Sequence, residues 1–136
     1  MHERAQQLIE TLGLAPHPEG GWYRQLFRSE SRVTRHADGA ERTALTTIYF
    51  LLVAGAESAW HRVQSDEVWH FYEGDPLELR TRDTAVILGA DNRVAVIRAK
   101  EWQSARPLGA YALVGCTVGP GFEFADFEMR DEPTVC

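Results

Sequence analysis

The stretch GAESAWHRVQSDEVWHFYEGD, residues 55–75, sets an imidazole, His61, six positions before a carboxylate, Glu67, between Gly55 and Gly74. If Ala59–Val63 is one strand and Glu67–Glu73 the next, with Gln64, Ser65 and Asp66 turning between them, side-chain alternation puts His61 and Val63 on one side. Glu67, Trp69 and Phe71 then share a face of the second strand. His61 and Glu67 meet across this hairpin when both face inward. An imidazole and a carboxylate held together in an apolar interior form an acid/base pair, because burial and mutual charge shift both pKa values. They are also two of the ligands a metal would use. The structural alternative is a His–Glu hydrogen bond that only satisfies two buried polar groups. His70 falls on the face opposite Glu67 and reads as a packing or interface residue. Trp60 and Trp69 read as core or pocket wall.

The elements that must position this pair are mostly strands. Residues 3–13 carry Ala5, Leu8, Ile9 and Leu12 at helical spacing and end on Gly13, which predicts one short amphipathic helix. Two prolines and a glycine pair in LAPHPEGGWYRQLFRS forbid helix, and Trp22–Ser29 reads as a strand. Further β-rich runs are expected near 43–53, 58–63, 67–73, 77–82, 84–88, 93–98, 101–105, 110–118 and 122–129, separated by turns such as EGDP, GADN and GPG. Many short strands with regular turns predict an all-β sandwich or barrel in a single domain spanning residues 1–136.

Composition removes several classes of function. Twenty acidic against fourteen basic residues give a net charge of −6, so most of the surface repels nucleic acid. The longest apolar run, 48–55, is far short of the roughly 20 residues that a membrane helix needs. The N-terminal MHERAQQLIE lacks the apolar stretch of an export signal, which leaves a cytoplasmic location as the expectation. Cys116 and Cys136 are too few for a disulfide framework.

The residues now resemble the cupins. Their first motif, a glycine, five residues, H-x-H, three or four residues, a glutamate, six residues and a glycine, matches Gly55, His61, Val63, Glu67 and Gly74 at every spacing, with Val63 in place of the second histidine. The second motif, P-x-G-x-x-H, falls on RAKEWQ, with Gln103 at the histidine position and neither proline nor glycine kept. More closely, HPEGGWYRQLFRS, TTIYFLL, HRVQSDEVWHFYEGDPLEL, EWQSA and LVGCTVGPGFEFADFEM look like a small single-domain cupin family of largely unknown function, over about residues 5–130. The resemblance implies a double-stranded β-helix, a jelly roll with a pocket between two sheets, preceded here by one short helix and usually found as a homodimer. Metal-dependent cupins hold Fe, Mn, Ni or Zn with three histidines and a glutamate. Carried onto this chain those positions are His61, Val63, Glu67 and Gln103, so His61, Glu67 and Gln103 are the metal candidates and only the first two are good ligands. His17 would join them if its loop folded over the pocket mouth.

Three functions compete. The first is a metal-independent isomerase or epimerase, similar in idea to the dTDP-sugar 3,5-epimerases, acting on a sugar or sugar nucleotide. His61 would be its base, oriented by Glu67, with Tyr49 or Tyr23 as opposing acid and Arg24 or Arg28 holding a substrate phosphate or carboxylate. The second is a non-catalytic binding protein whose pocket aromatics are Trp22, Tyr49, Trp69, Phe71 and Trp102. The third is a metal-dependent oxygenase or isomerase using His61, Glu67 and Gln103. Among the remaining motifs, the HPEGG glycines read as turn formers that help close the pocket. Cys116, on a β-run with Ala112, Val114 and Val118, reads as a buried inert thiol. Asp126 and Glu128 share one face of the last run, facing either solvent or the pocket. Sheet edges make a homodimer the expected assembly.

Overall fold

The protein is described by a computed structural model in which residues 1–130 are defined. Cys136 lies outside the described residues. Helix α1 (Glu3–Leu12) stops where expected: Gly13 takes the left-handed conformation (φ 65°) and its N–H closes on the Ile9 carbonyl. Ala5 and Leu8 bury the helix's apolar face against Leu51, Tyr111 and Leu113.

Thirteen strands follow among the described residues: β1 (Ala15–Pro16), β2 (Trp22–Arg28), β3 (Arg32–Thr34), β4 (Glu41–Thr43), β5 (Thr46–Val53), β6 (Trp60–Arg62), β7 (Asp66–Gly74), β8 (Leu77–Thr81), β9 (Ala85–Leu88), β10 (Val94–Ile97), β11 (Gln103–Pro107), β12 (Tyr111–Gly119) and β13 (Glu128–Arg130). One sheet runs β1-β2-β5-β12-β7-β10 and the facing sheet β13-β6-β11-β8-β9. Alternation along β5, β7 and β12 turns Phe50, Leu52, Trp69, Phe71, Ala112, Val114 and Cys116 inward, where they meet Leu77, Leu79, Leu88 and Ala105 from the other sheet. The opposite parity of β5 and β12, with Leu51 and Leu113, faces α1 on the outside of the six-stranded sheet. Strands β3 and β4 form a separate antiparallel pair that the sequence reading leaves out.

Two expectations change. The run 58–63 and the run 67–73 are not a hairpin. β6 is paired on both edges, with β13 and β11, and β7 on both edges, with β12 and β10, so the chain between them crosses from one sheet to the other. The run 122–129 is not one strand either: a 3-10 turn (Phe124–Asp126) interrupts it before β13.

Candidate functional site

A cavity of about 240 Å³ opens between the sheets, with His61 and Val63 on one wall and Glu67, Cys116 and Val118 on the other. The inward parity of β2 and β5 adds Tyr23, Gln25, Thr46 and Ile48, and Phe122, Phe124 and Phe127 enclose the remaining side. His17 and Glu19 complete the lining.

These last two come from the HPEGG turn, whose backbone explains its glycines. Gly20 and Gly21 hold φ of 103° and 80°. A Cβ on Gly20 would lie 2.8 Å from the Glu57 carbonyl oxygen, and one on Gly21 would lie 2.8 Å from that of Leu51. The turn is closed by the His17 N–H to the Gly21 carbonyl (2.9 Å) and tied to the start of β6 by the Ala59 N–H to the Glu19 carbonyl (2.6 Å). The Ala59 carbonyl in turn accepts from His61 Nδ1 at 2.8 Å. One peptide segment therefore fixes both Glu19 and His61, and Glu19 Oε2 comes to 3.1 Å from His61 Nδ1.

Proton positions follow from these partners. His61 gives its Nδ1–H to Ala59, so the neutral ring carries its lone pair on Nε2. His17 Nδ1 accepts from the Glu19 backbone N–H at 3.1 Å, which places its proton on Nε2. Burial lowers both histidines to about 4, with the His61 charge adding to the effect on His17. Glu67 Oε1 accepts from Gln103 Nε2 at 2.8 Å, and Gln103 Oε1 accepts from Trp69 Nε1 at 3.0 Å. Burial raises Glu67 to about 7, against the opposing effect of its bonds from Gln103 and Cys116. Burial and then the Glu67 charge push Glu19 well above the ordinary carboxylate range, and its Oε2 has no hydrogen-bond partner. At neutral pH the site thus holds two neutral imidazoles and two carboxyl groups that resist ionising.

The structure brings together His17, His61, Glu67 and Tyr23 among the residues singled out from sequence, with Gln103 bonded to Glu67, and it places most of the others elsewhere. Glu67 does not orient His61: the ring is oriented by Ala59 and flanked by Glu19, with Phe127 stacked on it at 5.6 Å. Tyr49 lies on the outer face of β5, edge-on to Tyr72, and cannot oppose the pair across the cavity. Trp22 packs in the cluster beneath α1 and Arg24 donates to the Leu12 carbonyl at 3.1 Å, because β2 alternates them away from Tyr23 and Gln25. Arg28 pairs with Glu123 at 2.8 Å. Trp69 and Phe71 sit in the core beyond the cavity, and Trp102 lies under the guanidinium groups of Arg62 and Arg130. Asp126 faces neither solvent nor the pocket. It is buried between Arg35 and Arg42, while Glu128 pairs with Arg62. Cys116 is buried as expected and its thiol is pushed far up by burial. Sequence reasoning missed Glu19 and the three phenylalanines. A glutamate between a proline and two glycines that can only be turn residues was the available signal for Glu19.

The donor set does not fit the metal of the metal-dependent cupins. Val63 offers no donor, and both ends of the Gln103 amide are engaged by Trp69 and Glu67. Among the described residues no group of three or more His, Cys, Asp or Glu is arranged to hold a metal ion.

Two facing antiparallel sheets enclosing a mixed polar and aromatic cavity define a cupin-type double-stranded β-helix. The chain belongs to the Cupin_5 family, described as Cupin superfamily (DUF985), whose model matches residues 6–130. Even the lost glycine of the second motif keeps its geometry, since Lys100 stands at that position with φ 71°. A hypothetical protein from Leishmania major is similar over 91% of this chain and 85% of its own (32% identity, TM-score 0.85). A protein from Shewanella oneidensis is similar over 93% of this chain and 84% of its own (34% identity, TM-score 0.83). An uncharacterised double-stranded β-helix protein from Klebsiella pneumoniae shares the fold at 14% identity, with a TM-score of 0.64 over 88% of this chain and 91% of its own. No curated protein matches the chain. Among the described residues no helix is long and apolar enough to cross a membrane.

Proposed function

We propose that the chain binds a small organic molecule in this cavity and moves a proton on it, in the manner of an isomerase. The observation that supports this reading is the pairing, on opposite walls of one cavity, of a buried carboxyl group near neutrality and a neutral imidazole. A proton-transfer group works best with its pKa close to the working pH, which favours Glu67, at about 7, over His61, at about 4, as the group that exchanges the proton. His61, with its lone pair on Nε2, accepts a hydrogen bond from a substrate hydroxyl. The cavity is below the usual range of roughly 300–1,000 Å³ for ligand pockets, and none of its lining residues is Lys or Arg. A compact ligand without phosphate suits it better than a sugar nucleotide.

The test is solvent-deuterium exchange, followed by NMR, on small hydroxycarbonyl compounds. Exchange next to the carbonyl, reduced at least a hundredfold in Glu67→Gln with binding retained, is expected. Binding with no exchange in the native protein would make this a binding protein instead. A second copy of the chain remains the proposed partner: Val94 and Val96 on the edge strand β10 are 51% and 60% exposed. Sedimentation equilibrium of the native chain and Val96→Glu checks this, with a dimer that the substitution dissociates as the expected result.

A further inference from the structure

We infer that the ligand of this cavity is a small organic cation, an alkylammonium seated among Phe122, Phe124, Phe127 and Tyr23 against Glu19 and Glu67. The inference rests on reading this cavity as the ligand site and does not depend on the proton transfer proposed for it.

Three observations converge. First, the aromatic rings form a continuous wall: Phe122 meets Phe124 edge-on at 4.9 Å, Phe127 meets Phe122 at 6.0 Å and Phe124 at 6.2 Å, and Tyr23 meets the His17 ring at 4.6 Å. Ring faces turned to a cavity carry the negative π surface that attracts ammonium groups, whereas ring edges are positive. Second, the two carboxyl groups inside can become only neutral or negative, and a bound cation favours their ionised form because neither has a cationic partner in the cavity. Lys and Arg are absent from the lining, and Arg28, the cation bonded to the Phe122 carbonyl, is neutralised by Glu123. Third, Glu19 Oε2 is buried without a hydrogen-bond partner. A buried orphan oxygen costs free energy that a ligand N–H or a nearby positive charge recovers. An anion would meet the same two carboxyl groups with no Lys or Arg in the lining to offset them. A neutral apolar ligand would leave Glu19 Oε2 without a hydrogen bond, although Ser58 bonds the same carboxyl group.

The groups facing the ligand are Glu67 on β7, Cys116 on β12, His61 on β6, Tyr23 on β2, and His17 and Glu19 on the HPEGG turn. Of these, Glu67 changes charge near neutrality, since both histidines stay neutral down to about 4. A bound cation favours ionised Glu67, so binding releases a proton when it occurs below about pH 7. Affinity therefore weakens as the pH falls from 7 to 5.

The experiment is isothermal titration calorimetry of the full chain with choline and with its uncharged isostere 3,3-dimethylbutan-1-ol, at pH 8 and pH 6 and in buffers of different ionisation enthalpy. Choline is expected to bind at least tenfold more tightly than the alcohol at pH 8, more weakly at pH 6, and with proton release at pH 6. Glu67→Gln should lower choline affinity about tenfold while leaving the alcohol within threefold. Phe124→Leu keeps the wall apolar at a half-exposed position that the fold tolerates. It should weaken choline about threefold or more, in line with a cation–π contribution of about 0.5–1 kcal/mol, and leave the alcohol unaffected. Equal binding of the two compounds, or tighter binding of the alcohol, overturns the cation and leaves the cavity standing as a ligand site. Binding of neither by natively folded protein overturns the cation as well. If the hydroxycarbonyl compounds then also fail to bind, the ligand-site reading falls with it.

Discussion

Glu67→Gln should stabilise the protein at alkaline pH and leave it unchanged in mild acid. In the folded chain burial raises Glu67 from 4.5 to about 7. Below pH 4.5 folded and unfolded chains both carry the proton and the group contributes nothing. Between 4.5 and about 7 the unfolded chain releases the proton while the folded chain keeps it, so stability falls as pH rises, and above 7 the loss is constant. At about 1.4 kcal/mol per pH unit the loss comes to roughly 3 kcal/mol. Glutamine fits the same space, and its amide oxygen still accepts from Gln103 Nε2, which sits 2.8 Å from Glu67 Oε1. Urea unfolding of both proteins from pH 4.5 to 8 measures the difference. With slopes of about 1–3 kcal/mol per molar urea, the variant's midpoint should lie about 1–3 M higher at pH 8 and coincide with the native one near pH 4.5. The other titrating groups are common to both chains, and removing Glu67 also eases ionisation of Glu19, which adds in the same direction. A pH-independent difference, or a variant less stable at pH 8, would refute the claim that Glu67 is buried in a site that disfavours its charge.

On the acid side the histidines act oppositely. Both fall from 6.5 to about 4 in the folded chain, so the unfolded chain binds more protons and stability declines as pH drops from 6.5 towards 4; His61→Gln should flatten this slope in thermal melts. Gly21→Ala should destabilise by more than about 2 kcal/mol, since a left-handed non-glycine residue alone costs about 1–2 kcal/mol and its Cβ would press on Leu51, Leu52 and Phe50. Gly55→Ala, with nothing within 4 Å, should bear only the backbone cost, and chemical denaturation compares the two. Asp126 accepts from Arg35 (2.9 and 3.2 Å) and Arg42 (3.0 and 2.8 Å), joining the β3–β4 pair to the segment that carries Phe124 and Phe127. Asp126→Asn should cost about 2 kcal/mol in urea unfolding and speed ligand dissociation in stopped-flow measurements.

The sequence by itself determined the periodic features. Helical spacing ending on Gly13 located α1, and alternation put Glu67, Trp69 and Phe71 on one inward face. These rest on local geometry, where neighbours in sequence share a period of 3.6 or 2. Motif spacing also marked the His61 and Glu67 region. What local periodicity cannot encode is which strand lies beside which. Residues 60–62 and 66–74 read as partners because they are adjacent in sequence, yet each strand has both edges occupied by strands from elsewhere in the chain. Tertiary pairing therefore placed His61 and Glu67 on opposite sheets, where they wall a cavity instead of bonding to each other. It also decided which parity faced that cavity, turning Tyr49, Trp22 and Arg24 outwards. Glu19 and the three phenylalanines reached the site from segments 42 or more residues before and 55 or more after Glu67's sequence neighbourhood at 61–67. Only the folded chain brings them together, because burial against the facing sheet, and not sequence proximity, is what holds two carboxyl groups and two neutral imidazoles within one aromatic wall.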